Sequence, residues 1–193
     1  MTKQLILAIS SSPSPTSRTA KVADYVLQRI ADPTFMTRHI QIREMDPEAL
    51  ISAKSAHVSV QRTVIAVEQA DGIVIATPIF KASYSGLLKI FLDLLPQYAL
   101  AGKAILPVAT GGSLAHLLAL DYALRPVLQT MGARHIVQSL FVPESEIQFE
   151  GNELKVGEQT AAMMGEAIYH FKCAVEATTE DRFLGHPRPT RTP

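Results

Sequence analysis

Apolar residues along this chain gather in five runs of strand length, separated by longer stretches in which they recur every three or four positions. The runs are QLILAIS (4–10), FMTRHIQI (35–42), GIVIATP (72–78), KAILPVAT (103–110) and RHIVQSLFV (134–142). The intervening periodicity predicts helices over 18–30, 58–70, 85–95, 113–131 and 158–177. In the third of these, Leu87, Leu88, Phe91, Leu92 and Leu95 fall on one face and make a core stripe. Strands alternating with helices predict a parallel sheet covered on both faces, without an internal repeat or a second domain. The stretch REMDPEALISAKSA (43–56) reads as irregular, and the tail TTEDRFLGHPRPTRTP (178–193) reads as a polar extension, mobile or laid on a neighbouring subunit.

Composition changes this picture little. The 193 residues carry 18 basic and 18 acidic side chains, so no basic footprint suggests nucleic acid or an anionic membrane surface. No run approaches the roughly 18 apolar residues of a spanning helix, and the first residues lack a signal-peptide pattern, which predicts a cytoplasmic protein. The one cysteine, Cys173, has no intrachain partner and is expected as a small apolar group on the last helix. No CxxC or HxxxH spacing offers a metal clamp.

Function is expected where strands 1, 3 and 4 run into polar loops, because doubly wound sheets bind ligands outside the carboxyl ends of their strands. The first loop, SSSPSPTSRT (10–19), places hydroxyls and one arginine at a helix start, where unpaired amides and the helix dipole favour a phosphate. Ser10, Ser12, Ser17, Arg18 and Thr19 are its candidate contacts, with Ser17 equally a plain helix cap. The second loop, TPIFKASYSG (77–86), offers Pro78, Ile79 and Phe80 as a border for a flat ring, Lys81 and Tyr84 as polar reach, Ser85 as a cap and Gly86 as room for close approach. The third, TGGSLAH (110–116), exposes backbone amides at Gly111 and Gly112 between Thr110 and Ser113, and sets His116 one turn into the expected helix. One phosphate site and two ring-bordering loops at one sheet end describe a pocket for FMN. The GxGxxG pattern of tightly held dinucleotides is missing.

The segments ADGIVIATPIFKASYSGLLKIFLDLLP (70–96) and LPVATGGSLAHLLALDYALRPVL (106–128), with SRT in the first loop, resemble the NADPH-dependent FMN reductase family. Within it they are most similar to the reductase components of two-component alkanesulfonate monooxygenases. The family's glycine-serine-proline turn after strand 1 is here SSP (11–13) in a longer loop. The resemblance implies a flavodoxin-like three-layer α/β sandwich with a five-stranded parallel sheet in the order 2-1-3-4-5, assembled as a homotetramer. It implies that Ser17, Arg18 and Thr19 hold the FMN phosphate, that Pro78, Ile79, Phe80 and Tyr84 border the isoalloxazine, and that Thr110, Gly111, Gly112, Ser113 and His116 border it from the other side. It further implies hydride transfer from NADPH to FMN and release of reduced FMN to a partner monooxygenase, in sulfonate or organosulfur use. Since the cofactor carries the chemistry, no acid, base or nucleophile is expected.

Pro126 lies inside the fourth expected helix and has no N–H for the carbonyl of Tyr122, so the helix is expected to bend there. The family resemblance implies a π-type bulge with an inserted tyrosine at this position, and makes Tyr122 the candidate controller of flavin transfer. Three rivals remain on sequence grounds. GGSLA (111–115) approaches the G-x-S-x-G elbow of hydrolases, with Ser113 as nucleophile and His135 or His170 as its base. A flavodoxin-type electron carrier and an FMN-containing quinone or azo-dye reductase would use the same pocket.

Overall fold

The structure is a computed structural model that describes residues 3–151 and 153–178. Strand β1 (Gln4–Ser10) runs through the sheet interior. Ile6 to Ile9 are buried, which is why the sequence there shows an unbroken apolar run instead of alternation. It pairs in parallel with β2 (Phe35–Gln41) on one side and β3 (Gly72–Phe80) on the other. Strand β3 pairs with β5 (Ala104–Gly111), and β5 with β6 (His135–Ile136) and β7 (Leu140–Pro143). The order β2-β1-β3-β5-β6 places each predicted strand where a 2-1-3-4-5 sheet requires it.

Alternate strand residues build two cores. Ile6, Ala8, Val74, Ala76, Leu106 and Val108 face α1 (Arg18–Ile30) and α6 (Glu158–Thr178). Leu7, Ile9, Ile73, Ile75, Ile105 and Ala109 face α3 (Val58–Gln69), α4 (Gly86–Leu92) and α5 (Arg125–Thr130). Helix α6 lies so close to the start of β3 that a Cβ on Gly72 would stand 2.6 Å from Val175 Cγ2 and 2.8 Å from Phe171 Cζ. Lys172 of α6 donates to Asp32 at 2.6 Å, and this hydrogen bond holds the Asp32 carboxyl below its ordinary value. The tie therefore stabilises the fold at neutral pH and is lost as pH falls through that lowered value.

The sheet has seven strands, not the five expected. One addition is β4 (Ser83–Tyr84), which turns back antiparallel onto β3. The other arises because the run 134–142 is broken into β6 and β7: the carbonyls of Ile136 and Val137 go to the Arg125 guanidinium, at 3.1 and 3.2 Å. The single helix expected over 113–131 is likewise in pieces, a 3-10 turn (Leu114–His116), a π turn (Leu120–Leu124) and α5. Part of the stretch read as irregular is helix α2 (Pro47–Ile51), started by Asp46, whose carboxylate accepts from Ala49 N at 2.7 Å, and by Pro47 in its first turn. An unexpected hairpin of β8 (Ile147–Glu150) and β9 (Glu153–Val156) precedes α6. Cys173 is exposed, so it does not serve as an apolar packing group. Thr178 ends α6, and the tail expected beyond it lies outside the described residues.

Lys103 is 2 % exposed at the start of the β5 segment. Its Nζ donates to Glu68 O at 3.0 Å and Ala70 O at 2.7 Å, so a buried cation meets the carbonyls that end α3. Lys103→Met keeps the aliphatic bulk and withdraws that donor. We expect urea unfolding to report a loss of about 2 kcal/mol, the cost of stranding buried carbonyls.

Candidate functional site

The first loop leaves β1 tethered to β3. Ser11 N and Ser11 Oγ both donate to Ala76 O, at 3.0 and 3.2 Å. Ser12 Oγ accepts from Ser14 N, and Ser14 Oγ from Thr16 N, so two successive hydroxyl turns coil the chain toward α1. Ser17 caps α1 by accepting from Ala20 N at 2.9 Å. The first amides of that helix have no acceptor within it, which suits the loop to an anion. Thr19 and Thr110, both buried, share a hydroxyl hydrogen bond of 2.6 Å that joins the first loop to the third. Arg18 is half exposed, and its Nη1 donates to Glu144 Oε2 at 2.7 Å.

Ser10 sits differently from the rest of its loop. As the last residue of β1 it shares the parity of Ile6 and Ala8, so its side chain turns to the α1 face. There it meets His39 Nε2 at 2.9 Å, while His39 Nδ1 donates to Asp24 at 2.7 Å. A Ser-His-Asp order of hydrogen bonds invites a hydrolytic reading, but Ser10 is 1 % exposed and the next amide, Ser11 N, is consumed by Ala76. The array is therefore a tie between β1, β2 and α1.

The second loop is a hairpin. Ile79 pairs with Tyr84 and Phe80 with Ser83, leaving Lys81 (φ 49°) and Ala82 (φ 62°) as a two-residue turn with both φ positive. Such a turn favours Asn-Gly, and non-glycine residues there hold strain of the kind found at functional sites. The hairpin presents Phe80, 50 % exposed, and half-buried Tyr84 beside buried Ile79, with Lys81 exposed at its tip. Pro78 lies opposite Thr110 in the β3–β5 ladder. Ser85 caps α4, accepting from Leu88 N at 3.2 Å, and donates to Ser11 O and Ser11 Oγ, both at 2.9 Å. Its amide donates to Thr77 Oγ1 at 2.9 Å. Ser85 is thus the pin between the first and second loops. A Cβ on Gly86 would meet nothing within 4 Å.

In the third loop Gly111 still belongs to β5, where a Cβ would press on Phe141 at 3.1 Å, whereas Gly112 has open space around it. Ser113 starts only the single 3-10 turn, accepting from Ala115 N at 3.2 Å. The helix expected to start at Ser113 therefore brings no dipole to this loop, because three residues of 3-10 turn do not sum to one. His116 is half-buried at the end of that turn. His135 pairs with Ala104 at the amino end of β5, opposite Ser113, and His170 is on the exposed face of α6 beside Glu166, so neither forms a triad with Ser113.

The bend expected from Pro126 is present as the five-residue π turn, from which Tyr122 projects 79 % exposed. Strand β4 packs against this turn, so the hairpin wall and the Tyr122 turn are neighbours. Arg125 Nε donates to Asp121 Oδ1 at 3.0 Å, and Ser139 Oγ donates to the same oxygen at 2.8 Å, tying the turn to the gap between β6 and β7.

The residues fit a flavin mononucleotide: a hydroxyl-rich helix start for its phosphate, and an exposed aromatic with open space at Gly86 and Gly112 for its ring. Concavity alone would direct attention elsewhere, to a groove of about 910 Å³ lined by Lys21, Asp24, Arg38, His39 and Lys155. That groove lies along α1, β2 and β9, away from the strand ends where such sheets bind ligands. Among the described residues no group of His, Cys, Asp or Glu gathers as a metal site, and no helix is long and apolar enough to cross a membrane.

Two residues bonded into the three-loop cluster were missed, Ser11 and Glu144. Of these only Ser11 stood in a stretch the sequence marked for function.

A model of the NADPH-dependent FMN reductase family matches residues 5–146. The chain is 42% identical over 145 residues to an FMN reductase (NADPH) of Pseudomonas putida KT2440, covering 75% of this chain and 74% of that one. It is 39% identical over 142 residues to an FMN reductase (NADPH) of Escherichia coli K12, covering 74% of each. Among solved structures, the apo form of an NADH:FMN oxidoreductase, EMOB, is 50% identical and superposes with a TM-score of 0.87 over 97% of this chain and 98% of that one.

Proposed function

The chain belongs to the NADPH-dependent FMN reductase family, and from that premise we propose that it takes FMN as a substrate, reduces it with NADPH and releases it to a separate monooxygenase. The observation that carries the release is the π turn: it sets Tyr122, almost wholly exposed, beside the hairpin wall of the flavin slot. π turns are rare, and they gather at functional sites. Sulfonate or other organosulfur compounds are the proposed downstream substrates, on the resemblance to alkanesulfonate systems.

When bound, FMN supplies the ring that accepts a hydride from the nicotinamide. The chain's own part is to bind, orient and exclude water. Ser12, Ser17, Thr19 and Arg18 hold the phosphate; Pro78, Ile79, Phe80 and Tyr84 form one wall of the slot; Thr110, Gly111, Gly112, Ser113 and His116 form the other. With Arg18 assigned to the flavin phosphate, exposed Lys81 is the cation better placed to meet the extra phosphate of NADPH. Leu114, Leu117, Leu118 and Tyr122 are all exposed along the rim, an apolar surface that supports a homotetramer whose neighbouring subunit completes the slot. A cytoplasmic setting is part of the same reading.

Purified protein should oxidise NADPH with saturable dependence on added FMN, and should retain little flavin on gel filtration. Tightly retained flavin, with turnover only when a quinone or azo dye is added, would replace this reading with an acceptor reductase. Retained flavin without NADPH oxidation would make the protein an electron carrier.

A further inference from the structure

Glu144 follows directly on β7 and opens the 3-10 turn Glu144–Glu146. Pro143 before it is in register with Gly111 of β5, and Ile147 N donates back to Glu144 O, so the carboxylate is carried on the sheet end and not on a loose loop. It reaches Arg18, the first residue of α1, across 126 positions of sequence. The first turn of α1 contains no acidic residue of its own. The arginine at the start of that helix therefore receives its carboxylate from the turn that follows β7. A carboxylate and a phosphate monoester seek the same partners there: a guanidinium and the dipole of a helix start.

We propose that Glu144 is a built-in competitor for the flavin phosphate, lowering the affinity for FMN so that the flavin leaves after reduction. The proposal rests on the reading that Arg18 holds that phosphate. Two contributions set its sign. Arg18 and Glu144 side chains are 50% and 40% exposed, so the ion pair does little to pre-orient the arginine. The repulsion between the Glu144 carboxylate, on a backbone held by the sheet end, and an arriving dianion persists whichever way the guanidinium turns. Glu144 thus costs affinity for the phosphorylated flavin and leaves riboflavin, which lacks the phosphate, untouched.

The test is titration of Glu144→Gln and Arg18→Ala with FMN and with riboflavin, followed by flavin fluorescence. Glu144→Gln is expected to lower the Kd for FMN about three- to fivefold and slow its dissociation, with the riboflavin Kd unchanged and the FMN effect shrinking in high salt. Arg18→Ala is expected to weaken FMN and not riboflavin. If Arg18→Ala weakens FMN selectively while Glu144→Gln leaves the FMN Kd unchanged or raises it, the competitor is overturned and the phosphate reading survives. If Arg18→Ala does not alter the preference for FMN over riboflavin, the phosphate reading falls and the competitor with it. An equal gain for both flavins in Glu144→Gln would mark a general effect on the slot and also overturn the proposal.

Discussion

Replacing Arg125 by leucine should remove about 3 kcal/mol from the unfolding free energy and increase the amount of flavin retained on gel filtration. Arg125 is the centre of a closed set of bonds: Nε to Asp121 Oδ1, Nη1 to Ile136 O, Nη2 to Val137 O, and Ser139 Oγ back to Asp121 Oδ1. Leucine fills part of the volume but leaves two carbonyls and a carboxylate without their charged donor, a loss of about 1–3 kcal/mol for each group that stays dry. Water reaches this partly exposed cluster, which holds the total near the lower sum. The effect on flavin follows from geometry. Pro126 removes one helical hydrogen bond, but nothing in a missing bond fixes where the extra residue is accommodated. The Arg125 set does, by binding Asp121, inside the π turn, to the gap between β6 and β7. Released from it, the turn is free to shift its extra residue along the helix and, on the proposed function, to move Tyr122 away from the flavin. Arg125→Lys should recover the charge but only about half of the stability, because an ammonium cannot reach all of these acceptors in a planar fork. Unchanged flavin retention in Arg125→Leu, alongside lowered stability, would reduce the set to a structural tie.

The same arginine explains why one strand was misread. The run 134–142 carries a single strand pattern in sequence, and the carbonyls that interrupt it are claimed by a side chain eleven and twelve residues earlier, which no local period reveals. The central strands β3 and β5 were legible because burial on both faces demands continuous apolar residues, and their neighbours α1 and α3 because one face alone is buried. The β8–β9 hairpin was legible in principle. Its turn includes Gly151 at φ 61°, but β8 buries only Ile147 and β9 alternates merely between exposed and half-buried positions, so the apolar contrast that marks a strand is faint. For the site, the sequence marked three loops that the structure joins at one end of the sheet, since polar residues after buried strands are conspicuous. It did not reveal how they are joined. Thr19 to Thr110 and Ser85 to Ser11 are hydroxyl pairs 91 and 74 positions apart, and a serine in a polar loop looks the same whether it faces a ligand or another serine.

That ambiguity makes Ser85 the second position with a large expected effect. Ser85→Ala should lower the unfolding free energy by about 2–3 kcal/mol and raise the Kd for FMN about tenfold or more. Its hydroxyl, 1 % exposed, caps α4 and donates to Ser11, so alanine removes a helix cap, typically about 1 kcal/mol, and leaves buried Ser11 acceptors without their donor. On the proposed function binding suffers too, because Ser85 ties the hairpin to the first loop and a flavin with its phosphate in that loop and its ring on the hairpin would span both. Glycine separates the two roles. At a cap it costs only a few tenths of a kcal/mol relative to serine, so Ser85→Gly spares the cap while still cutting the link to Ser11. Titration with FMN and urea unfolding of both variants then distinguish the causes. If glycine restores stability but not FMN affinity, the pin to Ser11 sets the slot and the cap sets the fold. If glycine restores both, the joint between the loops is carried elsewhere, with the Thr19–Thr110 bond as the next element to cut.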